Sequence, residues 1–286
     1  MAVYIVGFRT HTNTRAEIIM KLKDKVAIVT GASRGIGEGI AVRMADAGAS
    51  VVLASRTVKE IDHMPGTIHS VAKQIEDRGG RALPVQVDVA NEEQVQNMVD
   101  KTMEEFGQID ILVNNAGVVL TVKPLWEVTR EEFEWLYSVD VVGTFLCCKY
   151  VIPHMIKREY GKIINMGSIQ GRQGLRGQAA YGGCKAGIHN FTLALAKDVA
   201  AYNINVNAVG AGASRSFMIE SMINTNLTDE AKDSIFDALY EKCSLLRREV
   251  TAEDIGNLCV FLGSEDSRNI NGQTIYIDGG QPLKGE

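Results

Sequence analysis

From Lys25 onward, short runs of aliphatic and β-branched residues alternate with longer stretches in which apolar positions recur every three or four residues. The first pattern predicts strands at Val26 to Thr30, Val51 to Ala54, Ala82 to Val87, Ile109 to Val113, Lys162 to Met166, Asn205 to Val209 and Thr274 to Ile277. The second predicts helices at Gly35 to Ala47, Val71 to Arg78, Glu92 to Phe106, Glu131 to Arg158 and Gln178 to Ala201. Such alternation folds into a parallel sheet with helices on both faces. The runs AIVT and VVLA are apolar at nearly every position, as strands buried on both sides require. Thr129 with Glu132, and Thr251 with Asp254, read as helix capping pairs. No repeat, low-complexity tract or linker interrupts the pattern, so one domain is expected.

At 286 residues and 45% hydrophobic, the chain has enough apolar side chain for a large single core. Its net charge of −5 gives no basic footprint for nucleic acid, and no Lys/Arg run suggests a membrane surface. Five cysteines, Cys147, Cys148, Cys184, Cys243 and Cys259, are odd in number and lack CxxC or Cys/His metal spacing. They read as reduced thiols of a cytoplasmic protein without a metal site. His63 and His69 have no partners at metal spacing and read as surface residues. Near the start, Val3 to Phe8 is too short for a signal-peptide core, and Arg9 and Arg15 follow it. Residues 1–20 read as a flexible extension with the functional domain over 21–286; a transit peptide stays open, since no acid precedes Glu17.

The chemistry concentrates in two places. TGASRGIG, Thr30 to Gly37, follows the first strand directly and opens a helix. Gly31, Gly35 and Gly37 lack Cβ atoms, so backbone can approach a pyrophosphate whose charge the helix N-terminus favours. In AAYGGCKAG, Tyr181 and Lys185 are four residues apart, thirteen residues after Ser168. A helix puts that phenol and ammonium on one face. The positive charge is expected to lower the Tyr181 pKa from about 10 toward working pH, making it a usable proton donor and acceptor.

The GxxxGxG spacing, Asn114-Asn115-Ala116-Gly117 after the fourth strand, Ser168, and Tyr181 with Lys185 together resemble the classical short-chain dehydrogenase/reductase family, from about Leu22 to Gly280. The resemblance implies an α/β fold, a single-domain Rossmann-type doubly wound sheet of mainly seven parallel strands. It also implies an NAD(P)-dependent oxidoreductase acting on a ketone or secondary alcohol. Tyr181 matches the general acid/base, Lys185 the residue that holds the nicotinamide ribose, and Ser168 the hydroxyl that polarises the substrate oxygen. Gly31, Ser33, Arg34, Gly35, Ile36 and Gly37 match the cofactor turn. Asp88 and Val89 match the adenine contact, and Asn115, Ala116 and Gly117 the adenosine-side loop. Gly212, Ser214 and Ser216 match the positions near the nicotinamide amide and phosphate.

Where an NAD-binding acid would close the second strand, this chain has Ser55 followed by Arg56. With Arg34, two guanidinium groups are available to clamp a 2′-phosphate, so NADP(H) is preferred and NAD(H) is left open. Two positions depart from the family. Asp140 stands where it has a catalytic asparagine, and a carboxylate there would pair with Lys185 and dilute its effect on Tyr181. Ala211 replaces a proline, which frees one backbone angle before the substrate lid at Phe217 to Lys242. Phe217, Met218, Met222 and Ile223 either cover an apolar substrate portion or pack as an ordinary amphipathic helix. Gln170 and Gln178 are candidate substrate-binding residues beside Ser168 and Tyr181. The substrate alternatives are a 3-oxoacyl thioester and a sugar or polyol. An alternative of another class is a cofactor-binding sensor or scaffold with little turnover. The family also pairs the helices matching Glu131 to Arg158 and Gln178 to Ala201, which implies a homo-oligomer, either dimer or tetramer.

Overall fold

The computed structural model describes residues 20–60, 65–215 and 227–283. Seven parallel strands form one sheet in the order β3-β2-β1-β4-β5-β6-β7. They are β1 (Val26–Thr30), β2 (Ser50–Ser55), β3 (Arg81–Gln86), β4 (Ile111–Asn114), β5 (Gly161–Ser168), β6 (Ile204–Ala211) and β7 (Thr274–Ile277). The chain runs outward from β1 to β3 and then returns to lay β4 against the other side of β1. That reversal opens a crevice beyond the carboxyl ends of β1 and β4, where doubly wound sheets bind ligands.

Side chains alternate across the sheet with the period of two that strands impose. Ala27 and Val29 of β1 enter one core with Ile40 and Met44 of α1 (Gly35–Asp46) and Ile255 and Cys259 of α8 (Ala252–Gly263). Val26 and Ile28 enter a second core with Met98 of α3 (Glu92–Phe106), Val151 and Met155 of α5 (Gly143–Arg158), and Val199 of α6 (Ala179–Val199). The remaining helices are α2 (Ile68–Asp77), α4 (Arg130–Tyr137) and α7 (Asp229–Cys243). Both predicted capping boxes form: the Thr129 and Thr251 hydroxyls accept the Glu132 and Asp254 N–H groups at 3.2 and 3.0 Å.

Two expectations change. The helix predicted over Glu131 to Arg158 is interrupted by a wide π-helical turn at Ser138–Val142, between α4 and α5. Such turns are often found at functional sites. The Thr144 hydroxyl reaches back to the Asp140 carbonyl at 2.7 Å and stabilises the turn. This helical run is long and apolar enough to cross a membrane, with mean hydropathy 1.4 over its most apolar stretch, yet half of that stretch is buried in the protein. Ala211 does not loosen the end of β6. Having an N–H that proline lacks, it sits in the sheet opposite Ser168 and Ile277, and the strand runs through it. Of the predicted lid, α7 is described; Ser216, Phe217, Met218, Met222 and Ile223 lie outside the described residues, as do His63 and residues 1–19. All five cysteines are free thiols.

Candidate active site

The crevice is a cleft of about 750 Å³. At one end, the turn after β1 is shaped by what its glycines exclude. A Cβ on Gly37 would lie 2.2 Å from the Gly31 carbonyl oxygen. Gly35 has φ +58°, which glycine adopts freely, and a Cβ there would meet nothing within 4 Å. The first turn of α1 therefore faces open space with its N–H groups available to an anion. Gly31, Ser33, Arg34, Ile36 and Gly37 line the cleft beside it.

Thr30 holds the two walls together. Its hydroxyl accepts the Asn115 and Ala116 N–H groups, each at 2.9 Å, and the Asn115 side-chain amide donates to the Thr30 carbonyl at 2.8 Å. Asn115, Ala116 and Gly117 are thereby fixed on the cleft wall. At the far end, Arg56 approaches the Asp88 carboxylate at 3.8 Å and is more than half exposed. Asp88 is turned inward by accepting the Ala90 N–H at 3.0 Å, and Val89 lines the same end. The Arg34 guanidinium donates to the Pro65 and Gly66 carbonyls at 3.2 and 3.0 Å, so the loop after β2 orients it. The Ser55 hydroxyl donates to Ser33 at 3.2 Å, where an acid would repel a phosphate.

At the other end of the cleft, β5 and α6 bring Ser168, Tyr181 and Lys185 together, and the Ser168 hydroxyl is close enough to the Tyr181 phenol to favour its ionised form. Below the serine, its N–H donates to the Nε2 atom of His189 at 3.4 Å. That ring fills a space that Cβ atoms on Gly167 or Gly171 would close, at 2.2 and 2.5 Å. Lys185 is buried, donates to the Met166 carbonyl at 3.1 Å and pairs with the Asp140 carboxylate at 2.9 Å. The other Asp140 oxygen accepts the Val118 N–H at 2.8 Å. The wide turn at 138–142 carries this carboxylate inward to the lysine.

This pairing corrects the electrostatics expected for Tyr181. Its pKa is raised rather than lowered. Burial is the largest cause, the Lys185 ammonium opposes it, and the Asp140 carboxylate adds to the rise. For Lys185, burial disfavours the charge, but Asp140 and Tyr181 together outweigh it and hold the ammonium above its usual range. The lysine is firmly charged, and its field on the phenol is partly cancelled by its own counter-ion.

Gln170 and Gln178 line the cleft beside the serine and phenol, and the Gln170 Oε1 atom is buried without a hydrogen-bond partner. Val122, Trp135 and Leu175 supply an apolar wall, joined by Leu239 and Cys243 of α7. Gly212 and Ser214 follow β6 into the cleft, and the Ser214 hydroxyl is buried with no partner. Ser216 lies outside the described residues. Sequence reasoning missed Thr30, Trp135, Arg176 and His189. Of these, only Thr30 carried a signal, as the first residue of the glycine-rich turn.

A family model described as enoyl-(acyl carrier protein) reductase matches residues 31–281. The chain is 34% identical to the 3-oxoacyl-(acyl-carrier-protein) reductase FabG of Staphylococcus epidermidis, over 90% of this chain and 98% of that one. A short-chain type dehydrogenase/reductase from Mycobacterium marinum superposes with TM-score 0.81 at 33% identity, covering 92% of this chain and 97% of that one. A gluconate 5-dehydrogenase from Burkholderia cenocepacia, solved with NADP and tartrate, gives TM-score 0.81 at 29% identity, with 93% and 98% covered.

Proposed function

Because the chain belongs to the classical short-chain dehydrogenase/reductase family, we propose that it is an NADP(H)-dependent oxidoreductase converting a ketone to a secondary alcohol, or the reverse, in this cleft. The observation that carries the reading is the meeting of the Ser168 and Tyr181 hydroxyls beside Lys185, at the switch point of the sheet. Two converging donors suit a carbonyl oxygen, which accepts both.

The dinucleotide fits the cleft. Gly35 leaves room for close approach, the start of α1 suits a pyrophosphate, and the orphan Ser214 hydroxyl awaits a polar group. When bound, the reduced nicotinamide supplies a hydride to the carbonyl carbon. Tyr181 gives its proton to the oxygen as charge develops there, and Ser168 donates a hydrogen bond to the same oxygen. Lys185, charged by its pair with Asp140, holds the ribose and favours the tyrosinate left behind. Ketone, NADPH and one proton give alcohol and NADP⁺, and the reverse restores them.

Arg56 and Arg34 hold the 2′-phosphate in this reading, and Ser55 leaves it unopposed. A panel of ketones and alcohols assayed with both nicotinamide cofactors tests the function. NADPH is expected to exceed NADH in kcat/KM by at least about tenfold, the size of one charge-assisted hydrogen bond to phosphate. Arg56→Ala is expected to raise KM for NADPH by about tenfold and to leave that for NADH within about twofold. A preference for NAD(H) in the native enzyme overturns the cofactor assignment.

The substrate alternatives remain a 3-oxoacyl thioester, as named for the Staphylococcus relative, and a sugar or polyol, beside which the Burkholderia relative is named for gluconate, a sugar acid. We also infer a cytoplasmic homo-oligomer, on the free thiols and on exposed Val142 and Phe145 along the helical run and Leu193 on α6. Light scattering on protein from the soluble fraction of a lysate should read a dimer or tetramer. A single-chain mass, or recovery only with membranes, contradicts it.

A further inference from the structure

The loop from Ser168 to α6 ends in a turn, Leu175 to Gln178, closed by the Gln178 N–H on the Leu175 carbonyl at 3.1 Å. Gly177, the third residue, has φ +77°, the left-handed geometry that a type II turn assigns to glycine. The turn is clamped across the cleft mouth. The Lys123 N–H donates to the Gly177 carbonyl at 3.2 Å, and a Cβ on Gly177 would meet the Val122 side chain at 2.8 Å. Arg176 sits at the tip of this fixed turn and lines the cleft.

Four cations line the cleft among the described residues: Arg34, Arg56, Lys185 and Arg176. The first two belong to the adenosine end, and Lys185 is matched by Asp140. Asp88, the one lining carboxylate among the described residues, is also at the adenosine end, beside Arg56. Arg176 makes no hydrogen bond or ion pair with another described residue, so among the described residues it is the one cation without a partner in the half of the cleft around Ser168 and Tyr181. Val122, Trp135 and Leu175 line the same half of the cleft and, like Arg176, are exposed to solvent there. A guanidinium presents a planar fork that fits a carboxylate through two parallel hydrogen bonds. The same half contains the orphan Gln170 Oε1 atom, an acceptor in want of a hydroxyl.

We propose that Arg176 anchors a substrate carboxylate, and that the substrates are therefore oxo acids and their hydroxy-acid counterparts. Gln170 takes a hydroxyl of the same molecule. The inference rests on the oxidoreductase reading and narrows its substrate class. A sugar acid meets both requirements, and a simple uncharged ketone meets neither.

The test pairs 4-oxopentanoate and 5-oxohexanoate with their methyl esters, using NADPH oxidation by the native enzyme and by Arg176→Gln and Arg176→Lys. The native enzyme is expected to prefer the acids by about ten- to a hundredfold in kcat/KM, the range of a bidentate ionic contact. Arg176→Gln should abolish that preference by raising KM for the acids, and Arg176→Lys should restore part of it. Calorimetric titration of each acid into the enzyme with NADP⁺ supplies a second readout. If the native enzyme binds the acids and Arg176→Gln does not, while no ketone in any panel consumes NADPH, the anchor stands and the redox reading falls. Equal treatment of acids and esters by the native enzyme, or equal loss of both in Arg176→Gln, overturns the anchor. It is overturned too if Arg176→Gln impairs acetoacetyl-CoA but not the N-acetylcysteamine thioester, because the guanidinium would then serve the phosphate of a carrier arm.

Discussion

Tyr181→Phe is expected to lower kcat by roughly 10³-fold, the middle of the range for a positioned general acid. The substitution removes one oxygen. Lys185 keeps its bonds to the Met166 carbonyl and Asp140, and the turn after β1 is untouched, so NADPH affinity should stay within about threefold. Binding measured by fluorescence beside single-turnover rates separates the two effects. Residual turnover within about tenfold of native would remove the phenol from the chemistry. The direction of the Tyr181 shift adds a pH signature. A raised pKa keeps the phenol protonated across neutral pH, so ketone reduction should be nearly flat there. Alcohol oxidation needs the phenolate and should climb as pH rises.

The second large effect is at Asp140. Asp140→Ala leaves the Lys185 ammonium buried without its counter-charge and the Val118 N–H without an acceptor. Breaking a buried pair on one side costs about 3–5 kcal/mol, to be read from the denaturant midpoint at neutral pH. The sign of the pH dependence is fixed by Lys185, whose folded pKa lies above its unfolded value of about 10.4. The pair's contribution is complete below that unfolded value and is lost as pH rises through the folded one. Asp140→Asn separates charge from shape, since its amide oxygen still accepts from Val118. Removing the carboxylate withdraws an influence that raises Tyr181, so the alkaline limb of alcohol oxidation should move to lower pH. An unmoved limb, or one moved to higher pH, would show that Asp140 does not govern the phenol.

Much of this architecture could be read from local pattern. Thr274 to Ile277 and Glu92 to Phe106 form as predicted because period and capping are properties of neighbouring residues. The glycine turn and the four-residue Tyr181 to Lys185 spacing were legible for the same reason. The phenol's acidity was not. The Asp140 to Lys185 contact joins residues forty-five positions apart, and the weight of burial against charge depends on the packed site. The break at 138–142 was hidden because apolar residues continue through it at helical spacing. Arg176 was overlooked because its significance depends on where a turn places it and on which other cations have partners.

The wide turn has one more consequence. An α-helix advances about 100° per residue, so a helix that loses one residue rotates everything beyond the deletion by that angle. Before the turn, Leu136 is fully buried against its neighbours; after it, Leu146, Val151 and Met155 fill the sheet's second core. The extra residue at 138–142 lets both faces point inward and swings a carboxylate between them. Shortening this segment by a single position would force the rod to choose between seating its apolar stripe and delivering its charge.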